Sequence, residues 1–248
     1  MNIYPTFVNA PITEALLDIR VDLPATVDTS VLESYYDYVK IRFPEKKQQI
    51  LFQASFQMSP NGQPASAPPT SQPSGFLFHS SIENKIVQAR MNGFTFNKLK
   101  PYEKWSTFRD EARELWDEYA KISTPLRITR IGLRYVNRIE IPLPINDFSE
   151  YILTFPEIAP DLPQEISHFF MQLAIPNRDL PATALINETM EQTPDNSKIA
   201  LIFDIDVWQD TILVDNKEKI WDEFEKLRNF KNDVFFKSLT NKAKELFK

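Results

Sequence analysis

Cysteine is absent from this 248-residue sequence. Without thiols the chain can form neither disulfides nor cysteine-based zinc sites, and it has no thiolate to act as a nucleophile. A lack of disulfides is typical of proteins in reducing compartments. The sequence therefore predicts a protein that folds without disulfides or a structural metal ion.

Glycine is scarce, with only four residues in the whole chain. Loops that bind phosphate through backbone amides need closely spaced glycines, as in GxGxxG or GxxxxGK. Gly62, Gly75, Gly93 and Gly132 are too far apart to form either motif. Nucleotide-binding folds of the Rossmann and P-loop types are thereby excluded, and we expect no cofactor.

Long hydrophobic runs are also missing, as is an N-terminal basic region followed by an apolar stretch. A membrane-spanning helix needs about 18 or more apolar residues, and a secretory leader needs that N-terminal pattern. The sequence therefore predicts a soluble, cytoplasmic protein with no membrane partner. The net charge of −6 also disfavours non-specific binding to nucleic-acid phosphates.

The composition is typical of a globular protein, with 42% hydrophobic and 25% charged residues. Alternating apolar residues predict strands in the first half of the chain over 11–23, 50–58, 76–82, 85–91 and 94–99. Apolar residues at helical spacing predict helices over 30–43 and 102–122. A tract rich in Pro, Ser, Gln and Ala predicts a mobile hairpin loop over 59–74.

The second half of the chain shows the same order of elements. Strands are predicted over 127–141, 166–175, 180–190 and 198–208, a short helix over 146–153, and two closing helices over 217–229 and 233–247. This order predicts an α+β fold of two pseudo-repeated β-α-β-β-β-α halves, residues 1–125 and 126–248. Each half is expected to form a mainly antiparallel sheet backed by a long helix, with the first strands joining the two sheets. By analogy, the order resembles the duplicated saddle of TATA-box-binding-type proteins.

Two motifs at the starts of the halves carry a resemblance to a known family. They read Pro11-Ile12-Thr13-Glu14-Ala15 and Arg130-Ile131-Gly132-Leu133-Arg134-Tyr135-Val136-Asn137-Arg138-Ile139. With them the chain resembles a sporadically distributed prokaryotic family of uncharacterised proteins of about this length. The resemblance covers most of the chain and suits a duplicated fold. It implies no activity and no catalytic residues.

The second motif places Arg130, Arg134 and Arg138 on one face of a predicted strand. Successive arginines of this row stand about 13 Å apart at strand rise. Guanidinium groups on a rigid strand can bind carboxylate or phosphate, and Gly132 would let a ligand approach the backbone. The row is therefore a candidate anion or nucleic-acid site. The alternative, which we favour, is pairing with acids on neighbouring strands, namely Glu14, Asp18, Asp204 and Asp206.

Asp204 and Asp206 share one face of the strand predicted over 198–208. Some magnesium-dependent enzymes use such a pair, but the spacing is common on polar strand faces, so the two are weak metal-ligand candidates. His79 and His168 lie in separate predicted strands with no second ligand at zinc spacing, which favours structural roles. A serine-hydrolase elbow, GxSxG, is absent.

These observations predict a non-enzymatic protein-binding or assembly module whose partner is another protein or a second copy of the chain. The alternative is a nucleic-acid or nucleotide-binding protein that uses the arginine row, in prokaryotic regulation or genome defence. A third interpretation is a metal-dependent hydrolase that uses Asp204 and Asp206.

Overall fold

The computed structural model describes residues 4–53, 56–58, 64–66, 70–194, 196–213 and 219–248. The strands are β1 (Ile12–Asp22), β2 (Glu45–Gln53), β3 (Phe56–Met58), β4 (Pro64–Ser66), β5 (Thr70–Ser80), β6 (Lys85–Arg90), β7 (Gly93–Leu99), β8 (Arg127–Pro142), β9 (Phe170–Pro176), β10 (Thr183–Gln192) and β11 (Lys198–Leu213). The helices are α1 (Thr29–Glu33), α2 (Tyr35–Val39), α3 (Trp105–Ser123), α4 (Lys219–Ser238) and α5 (Asn241–Glu245). Over these ranges, no helix has the length and apolar character that crossing a membrane requires.

A nine-stranded antiparallel sheet forms the centre of the α+β fold, in the order β2-β5-β6-β7-β1-β8-β11-β10-β9. β1 pairs with β7 on one side and with β8 on the other. The opening strands of the two predicted halves are therefore neighbours, as expected, and they lie within one continuous sheet. β3 and β4 form a separate two-stranded ribbon.

The helices pack on one side of this sheet, which we call the helix face. Phe108 of α3 lies 5.2 Å from Phe96 of β7, and Phe235 of α4 lies 6.2 Å from Phe203 of β11, between ring centroids. Because strand residues alternate between faces, every second residue of the central strands is buried here. The buried set includes Ala15, Leu17 and Ile19 of β1, Ile131, Leu133 and Tyr135 of β8, and Leu201, Ile205 and Val207 of β11.

The opposite side of the central strands carries the charged residues that alternate with this core. We call it the polar face and define it by Asp18, Arg130, Arg134, Arg138, Asp204 and Asp206. The period of two in the sequence thus predicts correctly which residues of β1, β8 and β11 face the core.

Several predicted boundaries are wrong. The helix predicted over 30–43 is two short helices, α1 and α2, and β2 begins at Glu45, before the strand predicted over 50–58. The short helix predicted over 146–153 is a single 3₁₀ turn, Phe148–Glu150. The closing helices predicted over 217–229 and 233–247 are one long helix, α4, followed by the short α5. β4 and the start of β5 lie inside the loop predicted over 59–74, and the rest of that stretch lies outside the described residues.

Candidate functional site

The register of the sheet places the arginine row between two strands that carry acids. Arg134 of β8 stands opposite Asp206 of β11, and Gly132 stands opposite Asp18 of β1. Asp204 stands opposite Val136, two residue pairs further along. Acidic side chains therefore flank the row on both sides, which is the arrangement that cross-strand ion pairs need.

Arg134 and Asp204 form a bidentate ion pair. Arg134 Nε donates to Asp204 Oδ1 at 2.8 Å, and Arg134 Nη2 donates to Oδ2 at 2.7 Å. Asn187 Nδ2 of β10 donates to the same Oδ2 at 3.2 Å. The side chain of Asp204 is only 8% exposed, whereas that of Arg134 is 47% exposed. The hydrogen bonds to Asp204 raise the pKa of Arg134 above its usual value, so this guanidinium stays charged.

Asp18 accepts hydrogen bonds from four side chains on four strands. Its Oδ1 accepts from Arg90 Nη2 at 2.5 Å and from Thr95 Oγ1 at 2.9 Å. Its Oδ2 accepts from Arg20 Nε at 3.3 Å and from Arg130 Nη1 at 3.5 Å. The side chain of Asp18 is 10% exposed, so these donors replace water around a nearly buried carboxylate.

The space beside Gly132 is partly filled by β11. Trp208 stands opposite Gly132, and its Cβ lies 3.5 Å from the position that a Cβ on Gly132 would take. The guanidinium of Arg130 lies 5.1 Å from the centroid of the Trp208 ring, a cation–π contact. A Cβ at position 132 would make only ordinary van der Waals contacts, so Trp208 borders the backbone approach that the sequence suggested for a ligand but does not fill it.

The expected pairing of the row with strand acids is confirmed for three of the four predicted acids. Asp18 and Asp204 pair as described, and Asp206 Oδ2 lies 3.6 Å from Arg130 Nη2. Glu14 instead accepts from Asn97 Nδ2 at 2.5 Å. Arg138 pairs with Glu191 of β10, at 2.5 Å between Nη1 and Oε2, an acid that the sequence did not indicate.

The metal-ligand candidates Asp204 and Asp206 lie in this ion-pair network. Across the described part of the chain, no group of three or more His, Cys, Asp or Glu side chains is placed to hold a metal ion. Burial raises the pKa of Asp206 above its usual value. His79 Nδ1 lies 3.1 Å from Glu45 Oε2, while His168 precedes β9 and does not lie in a strand as predicted.

A second candidate site lies on the helix face, where sequence reasoning did not predict one. A cavity of about 300 Å³ lies between β8, α4 and the segments 4–12 and 102–106. Aromatic rings form much of its wall, and its polar lining includes Tyr102, Tyr135, Asn137, Arg228 and Lys231. The hydroxyl groups of Tyr102 and Tyr135 are 3.0 Å apart. Burial raises the pKa of Tyr102 to about 12 and that of Tyr135 well above its usual value, so both are neutral at pH 7.

Lys231 lines this cavity without a carboxylate partner among the described residues. Its Nζ lies 4.0 Å from the ring centroid of Tyr135. Desolvation, with a smaller contribution from the nearby charge of Arg228, lowers the pKa of Lys231 to about 7. A lysine with a strongly lowered pKa that lines a cavity is a recognised indicator of a functional site.

The helical spacing of apolar residues around Lys231 indicates that it faces the core. The division of α4 into two predicted helices obscured this indication. Phe224, Leu227 and Phe235 are buried residues of α4, and Lys231 falls at the helical spacing between the last two. Because two helices were predicted, with a break at 230–232, Lys231 was placed in a connection. In the continuous helix it lies on the apolar stripe.

Glu188 is a buried ionisable residue that the sequence reasoning also missed. It lies on the helix face of β10 between Ile186 and Met190, and it is 0% exposed. Neither carboxylate oxygen has a hydrogen-bond partner within the part of the chain that the structure describes. Burial raises the pKa of Glu188 to about 8. The sequence does indicate this position, because Glu188 is a single acid where the alternating pattern of β10 calls for an apolar residue.

No protein-family model, curated protein or solved structure matches this chain.

Proposed function

We propose that this protein is a non-enzymatic binding or assembly module that pairs with another chain along the edge strand β9. The first partner to consider is a second copy of the chain, and the second is a different protein with a free strand. The observation that carries the proposal is the uncharged, partly apolar edge that β9 forms.

β9 ends the sheet and pairs only with β10 among the described strands. The strand contains no charged residue, and its Phe170 and Ile175 are 65% and 42% exposed. Edge strands present unpaired N–H and C=O groups, and proteins usually protect them with charged residues, bulges or covering segments. An uncharged edge with exposed apolar side chains therefore suits the addition of a strand from a partner.

The opposite edge, β2, provides a contrast within the same sheet. Its first residues include Lys46 and Lys47, and lysines on an edge oppose uncontrolled pairing. Its later residues Ile50, Leu51 and Phe52 are exposed, at 50%, 51% and 72%. β2 is thus protected along part of its length, which makes β9 the better candidate for a specific contact.

Replacing Phe170 and Ile175 together by lysine is expected to convert a dimer of the parent protein into a monomer. Each lysine would add a charge to the edge strand and remove exposed apolar area, and charged residues on an edge oppose the addition of a strand. Sedimentation equilibrium at micromolar concentration measures the change. The circular dichroism spectrum should match that of the parent, since both side chains are exposed.

The matched control for this test is Ile82→Lys. Ile82 is 94% exposed in the turn between β5 and β6, so this variant adds a charge at an exposed apolar position away from β9. The Ile82→Lys variant should show the same oligomeric mass as the parent in sedimentation equilibrium. A parent protein that is monomeric at micromolar concentration and co-purifies with no other chain would contradict the proposal.

The duplication of the fold belongs to the same proposal. It is supported by the central position of β1 and β8, with the strands of residues 1–125 on one side and those of 126–248 on the other. A long helix, α3 or α4, follows the strands of each half. We propose that the halves are pseudo-repeats arranged in the manner of a TATA-box-binding-type saddle.

Kinship with the resembled prokaryotic family is likewise a proposal. It is supported by the position of the two motifs, since residues 11–15 open β1 and residues 130–139 lie in β8, the two strands at the middle of the sheet. The absence of cysteine supports a reducing, cytoplasmic setting.

Binding of nucleic acid by the arginine row is the second candidate function. The observation that favours it is the exposure of Arg134, which keeps 47% of its side chain accessible although Asp204 holds it. The acids of the polar face oppose it, because Asp18, Asp204 and Asp206 neutralise much of the charge that phosphate would meet.

If the second candidate holds, Arg134→Ala is expected to weaken binding to a panel of DNA and RNA oligonucleotides at low salt. Loss of one phosphate contact would also reduce, by about 1, the slope with which the logarithm of the binding constant falls against the logarithm of the salt concentration. Fluorescence anisotropy measures both, and Arg127→Ala is the matched control. Arg127 lies in the same strand with a 49% exposed side chain paired to Asp22. Absent binding by the parent, or binding that salt does not weaken, would remove this candidate.

A further inference from the structure

The cavity on the helix face combines an apolar wall with a cationic polar group. Phe236 of α4 stacks on Tyr4, with ring centroids 4.3 Å apart, and on Phe7, 5.6 Å apart. Trp105 adds a further ring to the lining. A volume of about 300 Å³ lies at the lower end of the range for small-molecule sites, which are mostly apolar with a few convergent polar groups.

Lys231 is the polar group that the surrounding protein leaves without a counter-charge. Desolvation makes an isolated charge unfavourable, and the described residues place no carboxylate in contact with its Nζ. The face of Tyr135, 4.0 Å away, stabilises the ammonium only in part. An anion in the cavity would supply the missing partner.

The other charged groups around Lys231 are either paired with neighbours or, as for Glu103 and Lys104, exposed and opposite in sign. From α4, Arg228 pairs with Glu225 at 3.6 Å, and Asp233 pairs with Lys237 at 3.0 Å and accepts from the hydroxyl of Tyr4. From the segment before α3, the lining includes Glu103 and Lys104, one of each sign. Tyr135 of β8 and Tyr102 of the segment before α3 are neutral at pH 7. The charge left for a ligand to meet is therefore positive.

We propose that this cavity binds a small organic anion, a carboxylate or a phosphate monoester, whose charged end pairs with Lys231 and whose apolar body packs on Phe7, Trp105 and Phe236. The site is separate from β9 and does not depend on the assembly proposed above. Burial in an apolar cavity strengthens a charge-assisted hydrogen bond relative to one in water, so Lys231 would determine the preference for an anion over a neutral molecule of the same shape.

The proposal is tested by calorimetric titration of the full chain with three probes, 3-phenylpropanoate, phenyl phosphate and the neutral 3-phenylpropanamide. We expect at least one anion to bind, with the amide weaker by about tenfold or more, the ratio typical for loss of a hydrogen bond to a charged group. The two anions distinguish a carboxylate site from a phosphate site.

Proton uptake provides a second measurement that needs no variant. Free Lys231, with its pKa of about 7, is mostly neutral at pH 8, whereas an anion beside it favours the ammonium form. Titrations at pH 8 in two buffers of different ionisation enthalpy should therefore show that binding takes up a proton. Binding without proton uptake would contradict the role given to Lys231.

The variants are Lys231→Met and, as matched control, Lys226→Met on the same helix. Lys226 has a 54% exposed side chain paired with Glu223, and it does not line the cavity. Lys231→Met should remove the preference for the anion, and Lys226→Met should keep it. Anion binding that survives Lys231→Met, equal binding of the amide, or no binding of any probe at millimolar concentration would overturn the proposal.

Discussion

Asp18→Ala is expected to lower the free energy of unfolding by about 3–5 kcal/mol, as for the removal of one partner from a buried ion pair. The substitution removes the carboxylate to which both Arg90 and Arg130 donate. The side chains of these two arginines are only 21% and 19% exposed. Thr95, which is 2% exposed, also loses its acceptor. For a chain of this length the loss corresponds to a fall in Tm of roughly 10 °C.

Denaturant unfolding and thermal melting measure this effect, and Asp22→Ala on the same strand is the matched control. Asp22 pairs with Arg127 at the surface, with side chains 46% and 49% exposed. Exposed pairs of this kind contribute about 0–1 kcal/mol, so the control should be close to the parent. Equal losses for the two variants would show that the Asp18 contacts do not stabilise the sheet.

The comparison of Asp18 with Asp22 also bears on the arginine row. A large loss of stability that is specific to Asp18→Ala would indicate that Arg130 has a structural role in the sheet. Its guanidinium contacts Asp18, Asp206 and the ring of Trp208. A small loss would leave that guanidinium available to an external anion. Arg134 is then the informative position, since it is the most exposed member of the row.

Glu188→Met is expected to raise the free energy of unfolding by about 4 kcal/mol at pH 8 and above. In the unfolded chain the carboxyl ionises near its usual pKa of 4.5, whereas in the folded protein it holds its proton up to a pKa of about 8. Between these values the folded state carries one proton more than the unfolded state. The parent therefore loses stability as the pH rises from about 4.5 to 8, by about 1.4 kcal/mol per pH unit.

The methionine variant should lack this decline, so its gain over the parent should be smallest near pH 4.5 and largest at pH 8. Urea unfolding at several pH values measures the difference between the two profiles. Glu191→Met is the matched control, since Glu191 lies in the same strand with a 55% exposed side chain paired to Arg138. A parent and a Glu188→Met variant with parallel profiles would contradict the assignment.

Sequence periodicity predicted the parts of the fold in which burial alone fixes the pattern. β1, β8 and β11 alternate with a period of two because one of their faces is covered by helices, and α3 carries an apolar stripe because it covers the sheet. The paired acids Asp18, Asp204 and Asp206 were predictable for the same reason, since the alternation that buries Leu17 and Ile205 places them on the other face.

Two residues of the helix face were missed because each is a polar residue among apolar neighbours. Lys231 lies in the gap between the helices predicted over 217–229 and 233–247, whereas α4 runs through it without a break. Glu188 lies at an apolar position of β10, and a sequence gives no measure of whether water reaches it. Both positions are strained electrostatically, and departures from local patterns of this kind often mark functional sites.

The sequence by itself determined the α+β class, the faces of the central strands and the exclusion of glycine-rich phosphate loops. These properties follow from local composition and from the periods of strand and helix, which each segment carries without reference to its neighbours. Only the tertiary structure decided which acid pairs with which arginine, that Lys231 lines a cavity, and that β9 forms an edge. Those properties depend on strand order and register, which bring together residues far apart in the chain, and no single segment encodes them.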